Sequence, residues 1–543
     1  MKQHLLMGFI FVILLQLIEC SDFLRGTNRA KLFEITDFNI PKIYINVSES
    51  DWKLLIQPKT NEKNEFIKVD SMNFVLNDTI KSSFSSVKIN ISGHTKNYKK
   101  LEYTIKILDS DKDLFGRRSI QLRSDMRDAS MMRTKLTSDL LNHLGIPSLS
   151  ANYCHLYING EFMGLYILQD IYKQYWIKNY YKNINLKKVI LYQCNKEQSD
   201  LTENNLRTCV NLSDSPSYQP LANFINLIKN ISSRSQVESI MDVDEFIKTW
   251  IVEWLIGSWD HMLQSGKNYY LYQQNNGKWQ ILLYDFDSTF GQFLPSKEEI
   301  LLENNNETQG LDNDTLILKS TEFNDLSNKI KRNNLLQNIG PYMNASSCFI
   351  DFPYWYVDRP VVDGLIASDY KSFLKNLYEI IQNGFNPKIL FPRIDELKEW
   401  LDPYIKEDRT IVNDILPGRI NNNGTSYDST YEEFKLNTEY TTVNYGVGIK
   451  KWIQDRFDFV CEQYKLNCNG STNSTIDFYD LINNYNNTNE SNNFRNEHFN
   501  KYFGNLNKNQ TCFIASESSA IKNYLVTFKY IIVIIGLIIS LIY

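Results

Sequence analysis

Residues 242 to 291 constrain the fold more than any other stretch, because they spell a helix and a β-hairpin end to end with acidic residues at the junctions. Phe246, Ile247, Trp250, Ile251, Trp254 and Leu255 recur at helical spacing, Asp242 or Asp244 can cap the start, and Gly257 follows the end. Such a face must be buried, and Asp260 sits just beyond it. Residues 268 to 272 and 278 to 284 are rich in aromatic and branched side chains and flank Gln273-Gln274-Asn275-Asn276-Gly277, which predicts two paired strands and a turn. A hairpin that leaves and returns brings Asn268 and Asp285 to the same end of antiparallel strands.

Carboxylate, amide and carboxylate in that order suit a hard divalent cation. Mg²⁺ takes oxygen ligands and shares them with phosphates, so Asn268 and Asp285, with Asp287 two residues on, make part of a coordination shell. Asp260 is then available to orient a hydroxyl nucleophile. Asp260 and Asp287 would equally serve as turn residues or helix caps, a common role for Asp at such junctions.

The cationic side is less sharply written. Lys100 and Lys106 flank an alternating strand, and either would meet phosphates as a point charge or stand as a solvated edge residue. Arg133 lies in a helix capped by Asp128 or Ser130 and closed by Gly145 and Pro147. With Met132, Leu136, Leu140 and Leu144 as its apolar face, that helix suits Arg133 to an internal ion pair. Gly93 follows a strand where backbone could approach phosphate, but it stands alone: neither a Gly-x-Gly-x-x-Gly run nor a Walker lysine is present.

Further blocks surround these residues. In order they are Ile40-Pro41-Lys42-Ile43-Tyr44-Ile45, then Val87-Lys88-Ile89-Asn90-Ile91-Ser92-Gly93, then Lys100-Leu101-Glu102-Tyr103-Thr104-Ile105-Lys106, then Met131-Met132-Arg133, then Leu156-Tyr157-Ile158-Asn159-Gly160-Glu161-Phe162-Met163-Gly164-Leu165-Tyr166. Together with Ser258-Trp259-Asp260-His261 and Leu283-Tyr284-Asp285-Phe286-Asp287, they make residues 34 to 292 resemble the CotH kinase family of secreted or spore-coat kinases. Phe385-Asn386-Pro387 and the amphipathic run Ile449 to Tyr464 extend the resemblance over most of residues 34 to 465.

The resemblance implies an α+β class and an atypical protein-kinase-like two-lobed fold. The N-lobe, over about 34–168, would be β-rich, and the C-lobe, over about 169–468, mostly helical with a β-hairpin carrying the metal site. It implies ATP and Mg²⁺, or Mn²⁺, as cofactors. Asp260 becomes the catalytic-loop acid, Asp285 and Asn268 the metal ligands with Asp287 beside them, and Lys100, Lys106 and Arg133 the nucleotide-side cations. Eight residues separate Asp260 from Asn268, where the protein-kinase pattern has five, so His261 to Lys267 must bulge. A kinase helix at the place of Arg133 would carry a glutamate, whereas its neighbours here are Met132 and Thr134. The implied partner is a protein substrate with Ser or Thr. The alternative is a host or matrix protein, bound as some fungal members are thought to do.

The ends of the chain predict its setting. Lys2 and His4 precede an apolar run from Leu5 to Leu17, and Ile18-Glu19-Cys20 offers a cleavage site, so residues 1–20 read as a signal peptide. Fourteen Asn-x-Ser/Thr sequons agree with a secretory route. Seven of the eight cysteines then remain; Cys194 with Cys209 and Cys461 with Cys468 are the expected bridges, Cys154 a buried thiol, and Cys348 and Cys512 are left to pair or stay free. Residues 300–345 read as an inserted surface loop, and 469–520, rich in Asn, Ser and Thr, as a stalk after a domain spanning 21–468. Residues 521–543 end in a charge-free tail from Tyr530. As a helix those 14 residues reach only ~21 Å against a ~30 Å hydrocarbon core, which fits a removable glycolipid-anchor signal. A tilted span beginning at Tyr524 is the rival. The expectation is a membrane-anchored protein at the cell surface. A net charge of −5 disfavours nucleic acid as a partner.

Overall fold

The computed structural model describes residues 23–468 except 59–64, 93–96, 183, 197–198, 214–215, 232, 295–349 and 357–358. Residues 1–20, expected as a signal peptide, Gly93, the expected insertion 300–345, Cys348, Cys512, the expected stalk 469–520 and the tail 521–543 therefore lie outside the described residues. Among the described residues no helix is long and apolar enough to cross a membrane.

Period-2 alternation in the first part of the chain builds one large sheet. Its strands are β1 (Lys42–Asn46), β2 (Ile67–Val69), β3 (Ser71–Val75), β4 (Lys81–Phe84), β5 (Val87–Ile91), β6 (Tyr103–Ile107), β7 (Ser119–Arg123), β8 (Ala151–Ile158) and β9 (Glu161–Gln169). They lie in the order β2-β5-β6-β7-β9-β8-β1-β3-β4. β1 and β8 run parallel and the other neighbours antiparallel. On β8 and β9 alternate side chains enter different cores. Cys154, Leu156, Ile158, Tyr166 and Leu168 join Ile43, Ile45, Tyr103 and Ile105 on one face. Ala151, Tyr153, Leu165 and Ile167 meet Met132, Leu136 and Leu140 on the other. A sheet covered on both sides needs apolar residues at every position, hence the near-continuous apolar reading of these two strands.

The helix Arg133–His143 connects β7 to β8. Asp128 caps it, accepting from the Arg133 backbone N–H at 2.9 Å. Gly145, at φ +72°, closes it, with Ile146 N–H donating back to Leu141 O at 2.9 Å.

A second sheet holds β10 (Ile190–Cys194), β11 (Cys209–Asn211), β12 (Tyr269–Gln273) and β13 (Trp279–Leu283) in the order β11-β10-β12-β13. Cys194 faces Cys209 in register and is bonded to it; Cys461 is bonded to Cys468, and Cys154 is a buried thiol. The β12–β13 pair is the hairpin that the 268–284 pattern predicts. One of its faces, with Tyr269, Leu271, Ile281 and Leu283, packs into the same core as the helix Val243–Leu255. The other, with Tyr270, Tyr272 and Leu282, lies under Tyr172 and Trp176.

The remainder is mostly helical, with Phe352–Trp355, Pro360–Ser368, Tyr370–Asn383, Pro387–Asp408, Tyr431–Asn437 and Ile449–Gln463. Asn386 caps the longest, accepting from Lys388 N–H at 2.9 Å, with Pro387 at the position where a missing N–H costs nothing. The molecule is thus a mixed α+β protein, a large sheet followed by a mainly helical body.

The far end of the helix Pro387–Asp408 is fastened to the large sheet. Asp408 Oδ1 accepts from Lys100 Nζ at 2.7 Å and from Leu165 N–H at 2.8 Å, while Oδ2 takes Arg419 Nη1 at 3.1 Å. Gly164, at φ +97°, makes room: a β-carbon there would fall 2.2 Å from Asp408 Oδ1.

Candidate active site

The hairpin places the first two acidic-site residues. Tyr269 faces Leu283, and Tyr284 N–H donates to Asn268 O at 3.1 Å, so Asn268 and Asp285 leave the sheet side by side. Both adopt left-handed backbone, φ +58° at Asn268 and φ +72° at Asp285. Asn and Asp tolerate this region best among non-glycine residues, and such conformations gather where a site dictates side-chain direction.

Asp260 is brought to the same place by its neighbour. His261 is fully buried and donates from Nε2 to Tyr284 O at 2.7 Å, accepts at Nδ1 from Ser258 Oγ, and stacks on Phe286 with centroids 5.4 Å apart. Burial pushes its pKa down to about 4, which keeps it in the neutral tautomer these bonds require. His261 is therefore a structural pin between the turn after Val243–Leu255 and the end of β13. Asn268 Nδ2 donates to Asp260 O at 3.0 Å and to Oδ2 at 3.1 Å, and Lys267 Nζ stands 2.9 Å from Oδ1. The 261–267 stretch bulges enough to let Asn268 return to Asp260. Burial raises the Asp260 carboxyl to about 6, with Lys267 opposing.

From the large sheet come two arginines. Arg123 ends β7; its Nε lies 2.7 Å from Asp125 and its Nη2 lies 2.7 Å from Asp285 and 3.9 Å from Asp287. Arg127 Nη2 is 3.1 Å from Asp287 Oδ2 and 3.1 Å from Ser288 Oγ. Burial works against the Asp287 charge, but Arg127 and Arg123 hold its carboxyl well below the ordinary range. Glu102 accepts from Ser124 N–H at 3.1 Å, and burial pushes its carboxyl up against the pull of Arg123. Asp285 is the open edge of the group, its side chain 33% exposed against 13% for Asp260 and Asp287.

Asp260, Asn268, Asp285 and Asp287 therefore meet, whereas the three cations expected beside them are engaged elsewhere. Lys100 is 1% exposed, paired with Asp408, donating to Leu165 O at 2.8 Å and lying 4.6 Å over the Tyr166 ring. The Lys106 ammonium lies 3.7 Å over the Phe66 ring, four residues along the chain from Glu102 or roughly 13 Å of strand. Arg133 makes the internal pair, with Asp128; it also binds Asn437 Oδ1 at 2.8 Å, Thr289 O at 3.0 Å and Val447 O at 2.6 Å. It thereby ties the loop after Asp287 to the closing segments. The cations that do face the acids are Arg123, Arg127 and Lys267. Their signal in the sequence is Arg123-Ser124-Asp125-Met126-Arg127, charged residues at alternate positions where an apolar strand ends, and Lys267 directly before Asn268.

Among the described residues no three His, Cys, Asp or Glu side chains form a ready cage for a metal ion. The donor chemistry still fits Mg²⁺ shared with phosphates: Asn268 spends its amide N–H groups on Asp260, which leaves Oδ1 as ligand atom, and Asp285 and Asp287 add carboxylate oxygens. A groove of about 430 Å³ lined by Phe224, Leu227, Gln273, Gly277 and Trp279 lies at the opposite end of the hairpin. It holds none of this chemistry.

Residues 89–343 match the family model described as CotH kinase protein. Invasin CotH2 of Rhizopus delemar is 22% identical over 434 residues, covering 76% of this chain and 64% of that protein. Invasin CotH3 of the same fungus is 22% identical over 408 residues, 72% of this chain and 60% of the relative. The inner spore coat protein H of Bacillus subtilis is 26% identical over 219 residues, 37% of this chain and 57% of the relative. This chain thus spans about three fifths of the length of these relatives. The matched region contains the whole acidic cluster from Glu102 to Asp287, and over these residues the chain is similar to the CotH kinase family.

Proposed function

We propose that this protein moves the γ-phosphoryl group of ATP to a Ser or Thr hydroxyl of a protein substrate. The observation that carries this reading is the convergence of Asp260, Asn268, Asp285 and Asp287 where the hairpin end meets the end of β7, with Asp260 bonded to Asn268. Asp260 would orient the substrate hydroxyl and take its proton. Lys267 would hold the Asp260 carboxylate in place and offer positive charge toward the reacting phosphate. Asn268, Asp285 and Asp287 would hold Mg²⁺ or Mn²⁺, which when bound neutralises charge on the nucleotide phosphates. In this reading the large sheet acts as an N-lobe and the helical body as a C-lobe, with the nucleotide phosphates beside Arg123 and Asp285.

ATP with Mg²⁺ is expected to raise the melting point of the purified protein, since a ligand present at about a hundred times its Kd contributes ~2.7 kcal/mol to the folded form. An unchanged melting point with nucleotide and either metal would count against the assignment.

A second reading has support in the names of two relatives as invasins: the same fold displayed on a cell surface binds a host or matrix protein. The apolar segments at both ends of the chain and the sequons support a secreted, membrane-anchored form in either case. Phospholipase treatment of cells is expected to release a glycolipid-anchored protein, whereas retention with the membrane would favour a spanning tail.

A further inference from the structure

The carboxylates that would bind a metal are already occupied by the protein's own cations. Asp285 is 2.7 Å from Arg123 and Asp287 is 3.1 Å from Arg127. Neither arginine is a surface residue free to swing: their side chains are 7% and 11% exposed. Arg123 is also held by Asp125 at 2.7 Å, and Arg127 lies over the Phe293 ring at 4.7 Å. A divalent cation arriving alone must approach carboxylates neutralised by guanidinium groups within 4 Å, where like-charge repulsion in a partly buried site is strong. A nucleotide arriving alone brings its phosphates to the same two guanidinium groups, which favour planar oxyanions. Phosphate oxygens would take over the arginines' donors and release Asp285 and Asp287 to accept the metal.

We infer that Arg123 and Arg127 form a latch across the metal carboxylates, so that the triphosphate opens the metal site and a divalent cation without nucleotide is held off. This rests on the kinase reading above and adds to it a rule for the order in which the site fills. It also assigns the triphosphate-facing cations to two residues of the large sheet.

The test uses the intact chain, Mn²⁺ followed by electron paramagnetic resonance, and the non-hydrolysable analogue AMP-PNP. Because Mn²⁺ chelates nucleotide in solution, tighter metal binding in the presence of AMP-PNP would not by itself identify the latch; the affinity for Mn²⁺ alone decides. Arg127→Gln is expected to bind Mn²⁺ alone about fivefold or more tightly than the unaltered protein, and to bind AMP-PNP alone more weakly, so that the coupling between them shrinks. Lys267→Gln removes a nearby positive charge without uncovering Asp285 or Asp287, and its effect on Mn²⁺ alone is expected to stay below about twofold. Arg127→Lys, which keeps the charge and can still cover Asp287, should restore weak metal binding, and matching melting curves establish that the variants fold. Equal gains in Arg127→Gln and Lys267→Gln, or no gain in the former, would overturn the latch while leaving the kinase reading intact. Absence of both Mn²⁺ and AMP-PNP binding from every form would overturn both.

Discussion

Asp285→Ala is expected to lower phosphate incorporation from labelled ATP by about 10²- to 10³-fold or more, the scale on which a single preorganised charge contributes to a transfer reaction. The geometry makes this a clean experiment. Asp285 is the most exposed of the three site carboxylates, and its removal leaves Arg123 still paired with Asp125 at 2.7 Å, so no buried charge is stranded. The fold should therefore survive, with a loss of only about 1–2 kcal/mol from alanine in the left-handed backbone at Asp285, while activity collapses. Asp285→Asn, which keeps shape and loses charge, separates the metal-binding role from packing and is expected to lose nearly as much. Equal labelling by the variant and the unaltered protein would reject the assignment of Asp285. The same variant discriminates the two functional readings, because adhesion to host cells should survive a substitution that silences transfer. If binding and labelling vanish together in a folded variant, display is not an independent role.

Asp408→Ala is expected to have the opposite profile, destabilising the fold by about 3–5 kcal/mol, since it strands a buried lysine and deprives a buried N–H of its acceptor. Lys100 is 1% exposed and takes its counter-charge from Asp408; Leu165 N–H on β9 donates to the same oxygen at 2.8 Å. Arg419 is the third partner, at 3.1 Å. A double substitution, Lys100→Met with Asp408→Leu, should recover most of the loss, because a buried pair replaced by apolar side chains of similar size is often neutral. Denaturant unfolding measures both, and a loss below about 1 kcal/mol for Asp408→Ala would mean that water or a neighbouring carboxylate replaces the pair.

The pH dependence has a fixed sign. Burial works to raise the Asp408 carboxyl, but Lys100 and Arg419 overcome it and hold the folded form well below the unfolded value of 3.8. The stabilisation is complete above that value and is lost as pH falls toward the depressed folded pKa. The stability gap between the unaltered protein and Asp408→Asn should consequently narrow as pH drops below about 4.

Much of the candidate site is legible before any fold is known, and the reason is local. The periodicity of Phe246 to Leu255 sets a helix, observed as Val243–Leu255, whose end delivers Asp260. The aromatic runs around Gly277 set a hairpin whose geometry alone requires Asn268 and Asp285 to be neighbours. The short-loop bridges Cys194–Cys209 and Cys461–Cys468 are equally local. Lys100 shows where this reasoning stops. At the mouth of an alternating strand it looks like a phosphate ligand, yet its partner is 308 residues away. Arg127 is the reverse case: the charged run Arg123 to Arg127 marks a strand end but names no partner, and Arg127 meets Asp287 across 160 residues.

The sequence by itself determined the elements that repeat at 3.6 or 2 residues and the acidic and amide groups those elements place at their own ends. Only the tertiary structure decided which cation faces which carboxylate: that Arg123, Arg127 and Lys267 meet the acids, that Lys100 locks a helix to the sheet, and that Arg133 ties down the loop beyond Asp287. Backbone periodicity is written in neighbouring residues, whereas an ion pair depends on distance and burial in space. Those are set only once the large sheet, the hairpin and the helical body have packed together.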